Sequence, residues 1–253
     1  MHDYEISKKE WVLDGASVSY GFAFELKGAL SHDIQRERDF KYTGMDMSEI
    51  VKHIAQFTSD IWQIHPFCEG NTRTTAVFII KYLRSLGFDV NNSTFEKNSW
   101  YFRNALVRAN YQNLQKGIYK ETIHLERFFR NLLMGEENVL TNRHLHIKAK
   151  ELLDGDTPTS TPTSTPTSTP TSVIPESENV KRLISAIAEK QLSVKEMMAA
   201  VGLKDRPNFI EYSLSPAMRE GYVRMLYPDS PHHPRQKYLL TVKGLAAYKE
   251  LSR

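Results

Sequence analysis

The sequence predicts a mainly α chain, a helical bundle followed by a small α/β domain, and three observations carry that prediction. Ser48 to Ile64 places Ile50, Val51, Ile54, Phe57, Ile61 and Trp62 at helical spacing, and Ala76 to Leu86 is apolar almost all round before stopping at Gly87. Thr157 to Ser172 consists of four identical copies of Thr-Pro-Thr-Ser, a composition that blocks both helix and sheet. Beyond it, helical periodicity resumes and then gives way to two short runs of strand character.

Taken in order, the helical part spans residues 1–150, a linker spans 155–173 and the small domain spans 174–253. The repeats offer nothing apolar to bury, so they read as an extended, partly stiff tether. After the tether, Val180, Leu183, Ile184 and Ile187 lie on one face of a helix. Ser193 followed by Glu196 is a capping box that opens a second helix running to Gly202. Phe209, Leu214 and Met218 predict a third, whose end Pro216 blurs. Tyr222–Leu226 and Tyr238–Thr241 predict strands on either side of the proline-rich loop from Pro228 to Pro234. Three helices and a hairpin resemble a winged helix, which invites DNA binding through the third helix. Residues 173–253 carry 13 Lys/Arg against 9 Asp/Glu, a modest excess, and Glu211 and Glu220 stand beside Arg206 and Arg219. Protein recognition or homodimerisation is the alternative role of that domain.

With 33 basic and 30 acidic residues the whole chain is nearly balanced, which argues against a general polyanion binder. No run of 18 or more apolar residues occurs, and Met-His-Asp-Tyr-Glu at the start lacks a basic region leading into an apolar one. One cysteine excludes an internal disulfide. A cytoplasmic protein without a membrane partner is the expectation.

The stretch from His65 to Ala76, His-Pro-Phe-Cys-Glu-Gly-Asn-Thr-Arg-Thr-Thr-Ala, gathers a base, a carboxylate, a turn glycine and an arginine into one loop entering a helix. Gly70 and Asn71 accept unusual backbone conformations, and the first amides of a helix, here at Asn71, Thr72 and Arg73, have no partner within it. With the positive end of the helix dipole they make a seat for phosphate oxygens, to which Arg73 adds a planar charged fork. Glu69 beside that seat makes sense as a ligand for Mg²⁺ shared with the same phosphates. A neutral His65 can take a proton from an incoming hydroxyl. Phe67 reads as a core anchor of the loop and Cys68 as a small buried filler.

These residues resemble the signature of Fic-domain proteins, His-Pro-Phe-x-(Asp/Glu)-Gly-Asn-Gly-Arg-x-x-Arg, matched at His65, Pro66, Phe67, Glu69, Gly70, Asn71 and Arg73. Asn98 to Tyr111, with Tyr101, Asn104 and Asn110, resembles the family helix that closes the nucleotide pocket, and roughly residues 10–145 fall under the likeness. The resemblance implies a helical domain that moves AMP from ATP to a Tyr, Ser or Thr hydroxyl of a target protein. It assigns His65 as base, Glu69 to Mg²⁺, and the loop amides and Arg73 to the phosphates. It also implies a short β flap that aligns the target by backbone pairing. Phe40, Lys41, Tyr42, Thr43 and Gly44 alternate bulky and polar residues as such a strand would, with an ordinary connecting turn as the alternative.

The chain departs from the signature at Thr72, where the second glycine is usual, and at Ala76, where the second arginine is usual. In the family that arginine holds the terminal phosphate and pairs with the glutamate of an inhibitory helix of pattern (Ser/Thr)-x-x-x-Glu-(Gly/Asn). Thr122 to Glu126 has the spacing, but Arg127 follows; Glu137 and Asn138 have the ending, but Leu133 stands where Ser or Thr belongs. An alanine makes no charge-assisted contact. A Fic-type transferase with another donor, carrying UMP, phosphocholine or a bare phosphate, is therefore one alternative. A DNA-binding regulator with a non-catalytic, nucleotide-sensing domain is another.

Overall fold

The computed structural model describes residues 9–149 and 173–253, so the Thr-Pro-Thr-Ser segment lies outside the described residues. By contacts the chain divides into two compact units, one of Met1–Phe40, Val51–Ile79 and Asn91–Pro170, the other of Lys41–Ile50, Ile80–Val90 and Thr171–Arg253. The described helices up to residue 149 are α1 (Leu26–Asp39), α2 (Met47–Ile64), α3 (Asn71–Ser85), α4 (Ser93–Lys97), α5 (Ser99–Asn110) and α6 (Ile123–Met134). Among the described residues no helix is long and apolar enough to cross a membrane.

In the first unit the core is aromatic. Phe95 of α4 meets Phe102 of α5 and Phe128 of α6 edge-on, with ring centroids 5.0 and 4.9 Å apart, and Phe128 meets its neighbour Phe129 at 5.6 Å. Phe102, Phe128 and Phe129 are fully buried, as are Ile54 and Trp62 of α2. Burying one such side chain contributes about 1.5–3 kcal/mol, which is why short helices of only moderate propensity stay folded here. The last two turns of α2 belong to this core, and they carry the loop that follows.

In the second unit α7 (Glu178–Ile187) buries Val180, Leu183, Ile184 and Ile187, the face that periodicity predicts. The capping box that opens α8 (Val194–Val201) is present: Ser193 N–H donates to Glu196 Oε2 at 2.7 Å, and Glu196 N–H returns to Ser193 Oγ at 3.4 Å. The third helical stretch is α9 (Arg206–Phe209) running through a π turn (Ile210–Leu214) into α10 (Ser215–Arg219). Pro216 has no N–H to give and crowds the preceding turn, so a wider turn before it lets the helix continue instead of ending. Strand β1 (Val223–Met225) pairs antiparallel with β2 (Tyr238–Leu240), Val223 opposite Leu240. A helix that the sequence reading does not contain, α11 (Val242–Leu251), closes the chain, capped by Thr241 Oγ1 accepting from Gly244 N–H at 3.0 Å.

Gly87 and Gly221 meet back to back within the second unit. Each has positive φ, and a Cβ added to either would stand 2.2 Å from the other's carbonyl oxygen. Thr241 Oγ1 donates to the Gly221 carbonyl at 2.5 Å, and the Lys243 amide donates to the Leu86 carbonyl at 3.1 Å. Gly87 therefore does more than end α3: it also leaves room for a second backbone.

Among the described residues Phe40 to Gly44 pairs with no other strand: Phe40 has extended backbone, and a turn follows at Thr43 and Gly44. The Met45 amide donates to the Tyr42 carbonyl at 3.2 Å, and Gly44 takes φ +76°, the conformation that such a turn demands at its third position. Phe40 stacks on His53 with centroids 3.5 Å apart, the buried Tyr42 shares a hydrogen bond with Tyr82 across 3.2 Å, and the Gly44 carbonyl accepts from Lys249 Nζ. Thr43 lies in this turn and Lys41 precedes it.

Two substitutions test these contacts. Ser193→Ala removes the cap acceptor and should cost about 0.5–2 kcal/mol in urea unfolding of the full chain. Gly221→Ala combines left-handed strain of roughly 1–3 kcal/mol with a backbone collision, so it should destabilise more than Ser193→Ala in the same measurement.

Candidate functional site

The loop begins where α2 ends. Trp62 is buried in the last turn, and its carbonyl accepts the His65 amide at 3.2 Å. His65 has φ +56°, a conformation that ordinary residues avoid, and this turns its ring back toward the helix. Its Nδ1 lies 3.3 Å from the same Trp62 carbonyl. A carbonyl only accepts, so Nδ1 carries the proton and Nε2 keeps its lone pair. Burial holds the His65 pKa below its usual 6.5, against the opposing pull of the Trp62 carbonyl. The imidazole is thus a neutral base at physiological pH.

Asn71 fixes the other end of the loop. Its side chain is buried; Oδ1 accepts the Phe67 amide at 3.0 Å, and Nδ2 donates to the Phe67 carbonyl at 2.5 Å. Asn71 thereby holds the backbone of Phe67 from both sides, while the Phe67 ring itself is exposed. Cys68 is exposed as well. Both corrections have one cause: the loop is anchored through main-chain polar groups that an amide side chain can satisfy, so its apolar side chains need not be buried.

Gly70 takes φ +77°, and the Thr74 amide makes the first bond of the α3 ladder, to the Gly70 carbonyl at 2.9 Å. The amides of Asn71, Thr72 and Arg73 precede that bond, so they form the open positive end of a 15-residue helix. Arg73 is exposed and curls over Gly70, whose hypothetical Cβ would stand 3.7 Å from Nη2. Glu69 is exposed beside it, and among the described residues neither side chain has a hydrogen-bond or ion-pair partner. The Thr72 hydroxyl, where the signature has glycine, accepts from Trp62 Nε1 at 3.0 Å and so is drawn toward the core. Ala76 lies one turn further along α3.

Among the described residues no group of three or more His, Cys, Asp or Glu could hold a metal by itself. Glu69 offers a single unpartnered carboxylate, so a cation there would need oxygens from a substrate, which is the habit of Mg²⁺.

Tyr101, Asn104 and Asn110 line α5 as expected, but their polar atoms are engaged by the protein. The buried Tyr101 hydroxyl donates to the His124 carbonyl at 3.1 Å, and burial pushes its pKa to about 12. Asn110 donates to Ser59 Oγ at 2.9 Å and to the Leu106 carbonyl at 3.0 Å, tying α5 to α2. Asn104 Nδ2 donates to Asn142 Oδ1 at 2.8 Å, and both line a cleft of about 360 Å³ with Trp11, Trp100 and Arg103. Two neighbours of His65 escape sequence reasoning. Tyr20 stacks on the His65 ring at 3.7 Å, and Arg103 forms a bidentate pair with the buried Glu10, both contacts at 2.6 Å. No spacing rule links residues 45 positions apart, and Gly21 after Tyr20 hints only at a close backbone approach.

The Fic/DOC family model matches residues 16–83, a span that holds Tyr20 and the whole loop. The model of the Filamentation induced by cAMP protein Fic-like C-terminal domain matches residues 178–241. The crystal structure of a Fic family protein from Desulfovibrio desulfuricans G20 is similar at 19% identity and a TM-score of 0.30, over 88% of this chain and 57% of that one. The chain thus spans a little over half the length of that protein. No curated protein matches the chain. Two family models on one chain, the first enclosing His65, Glu69 and Arg73, identify it as a Fic-domain protein.

Proposed function

We propose that the chain is a protein adenylyltransferase that moves AMP from ATP to a Tyr, Ser or Thr hydroxyl of a target protein. What carries the reading is a neutral imidazole and an open helix N-terminus on one short loop: His65 has its proton on Nδ1, and the amides of Asn71 to Arg73 precede the first ladder bond of α3. Membership of a family of transferases of phosphate-containing groups supports it at the coarser level.

His65 Nε2 accepts the proton of the target hydroxyl as its oxygen bonds to the α-phosphorus. The bond from that phosphorus to the bridging oxygen breaks, and pyrophosphate leaves. The α3 amides and Arg73 draw charge from the phosphate oxygens, the type of stabilisation that a preorganised, fixed set of donors performs best. Glu69 would hold Mg²⁺, which when bound neutralises the leaving pyrophosphate. Tyr101, Asn104 and Asn110 form the α5 wall of the reading, with Asn104 the one that lines a cleft.

Ala76 is the observation that favours weighing a second donor, since its methyl group offers no charge to a terminal phosphate. Incubation with cell lysate and labelled ATP, UTP or CDP-choline separates the readings. Label from the α but not the γ position of ATP is expected, and it should be lost by about 10²- to 10⁴-fold in His65→Ala with ATP binding retained. Label from UTP or CDP-choline in place of ATP would reassign the donor, and no label dependent on His65 from any donor would leave a non-catalytic sensor. Glu69→Gln should weaken transfer most at low Mg²⁺ and recover partly as Mg²⁺ is raised; equal loss at every Mg²⁺ concentration would remove Glu69 from the metal.

A further inference from the structure

The segment from Ser19 to Gly21 is fastened to the last turn of α2 on both sides of Tyr20. The Gly21 amide donates to the Gln63 carbonyl at 3.3 Å, and Gln63 Nε2 donates to the Ser19 carbonyl at 3.4 Å. A Cβ on Gly21 would stand 3.2 Å from the Ile64 carbonyl oxygen, so glycine is what allows the two backbones to approach this closely. Between these anchors the Tyr20 side chain lies across the end of the helix.

Its ring stacks on the His65 imidazole, centroids 3.7 Å apart and planes 29° apart. The same ring meets Trp62 edge-on at 5.5 Å, and Trp62 meets His65 edge-on at 5.3 Å. His65 is therefore enclosed by two aromatic rings, with Nδ1 tied to the Trp62 carbonyl. The charged groups facing it are Glu10 and Arg103, which neutralise one another in their bidentate pair. With the charges paired, the removal of water from the imidazole dominates its acidity, and the ring that removes the water on one face is Tyr20.

We propose that Tyr20 is the positioning residue of the base: its ring covers one face of His65, keeps the imidazole neutral and holds Nε2 in a fixed direction. The ring performs this role, and the hydroxyl does not. The inference rests on the reading of His65 as the base, and it adds a residue that lies outside the signature. It also gives the stretch before α1 a task, since the loop that carries Tyr20 has no other claim on the site.

The test compares wild type, Tyr20→Phe, Tyr20→Leu and Tyr20→Ala by NMR titration of the His65 imidazole, assigned with His65→Ala, alongside the pH profile of transfer. Stacking survives in Tyr20→Phe, so its His65 should titrate with wild type, below 6.5. In Tyr20→Ala water reaches the ring, the pKa rises toward 6.5, and the rising limb of the rate profile moves to higher pH because the base must lose its proton first. Transfer should also fall by about 10- to 100-fold as the aim of Nε2 loosens. Tyr20→Leu fills the volume without an aromatic face; it carries the comparison if the alanine variant does not fold, and it should lie between the two. Unchanged His65 titration in both Tyr20→Ala and Tyr20→Leu would overturn the proposal, as would Tyr20→Phe behaving like Tyr20→Ala. The titration needs no turnover: a shifted His65 in a chain that transfers nothing would keep the Tyr20 contact and remove the catalytic reading instead.

Discussion

Trp62 holds the site together. Its carbonyl receives both the amide and Nδ1 of His65, at 3.2 and 3.3 Å, and its indole donates to Thr72 at 3.0 Å. Its ring also supplies an edge contact to Tyr20 and another to His65. One buried residue in the core of the first unit therefore sets the tautomer of His65 through its carbonyl, and the first turn of α3 and the seat of Tyr20 through its indole. Core packing restricts such a side chain to a single rotamer, so the geometry of the loop is inherited from the bundle.

The loop itself is strained and braced. Left-handed backbone at His65 costs roughly 1–3 kcal/mol and persists only where surroundings over-determine it. Here the bracing is the Trp62 carbonyl on one side and the paired hydrogen bonds of Asn71 to the Phe67 backbone on the other. A site fixed before substrate arrives spends little reorganisation during reaction, which is the physical basis for placing phosphate chemistry on a helix start. The departure from the signature at Thr72 is absorbed by the same bracing, because its hydroxyl is engaged by the indole. Ala76 has no such compensation from its own side chain, and for that reason it bears on the choice of donor in the proposed reaction and not on the loop.

Where sequence reasoning succeeded, the signal was local. The buried face of α7, the capping box of Ser193 and Glu196, and the end of α3 near Gly87 each depend on residues within about one or two helical turns. Where it failed, a local pattern competed with a longer-range demand. Pro216 left the end of the third helix open, and the π turn before it carries the helix on to Arg219. Phe67 looked like a core residue, yet its backbone was the anchor.

The residue types of the candidate chemistry were determined by the sequence alone: a base, a carboxylate, a glycine turn and an arginine at the mouth of a helix, in the order of a recognisable signature. Spacing along one chain suffices for that, because helix periodicity and turn preferences act over a few residues. Tertiary structure decided which nitrogen of His65 holds the proton, why Thr72 is accommodated, that Tyr101 and Asn110 are buried and bonded, and that Tyr20 covers the base. Those outcomes depend on which distant groups share a dry volume, and neither propensity nor periodicity encodes that distance.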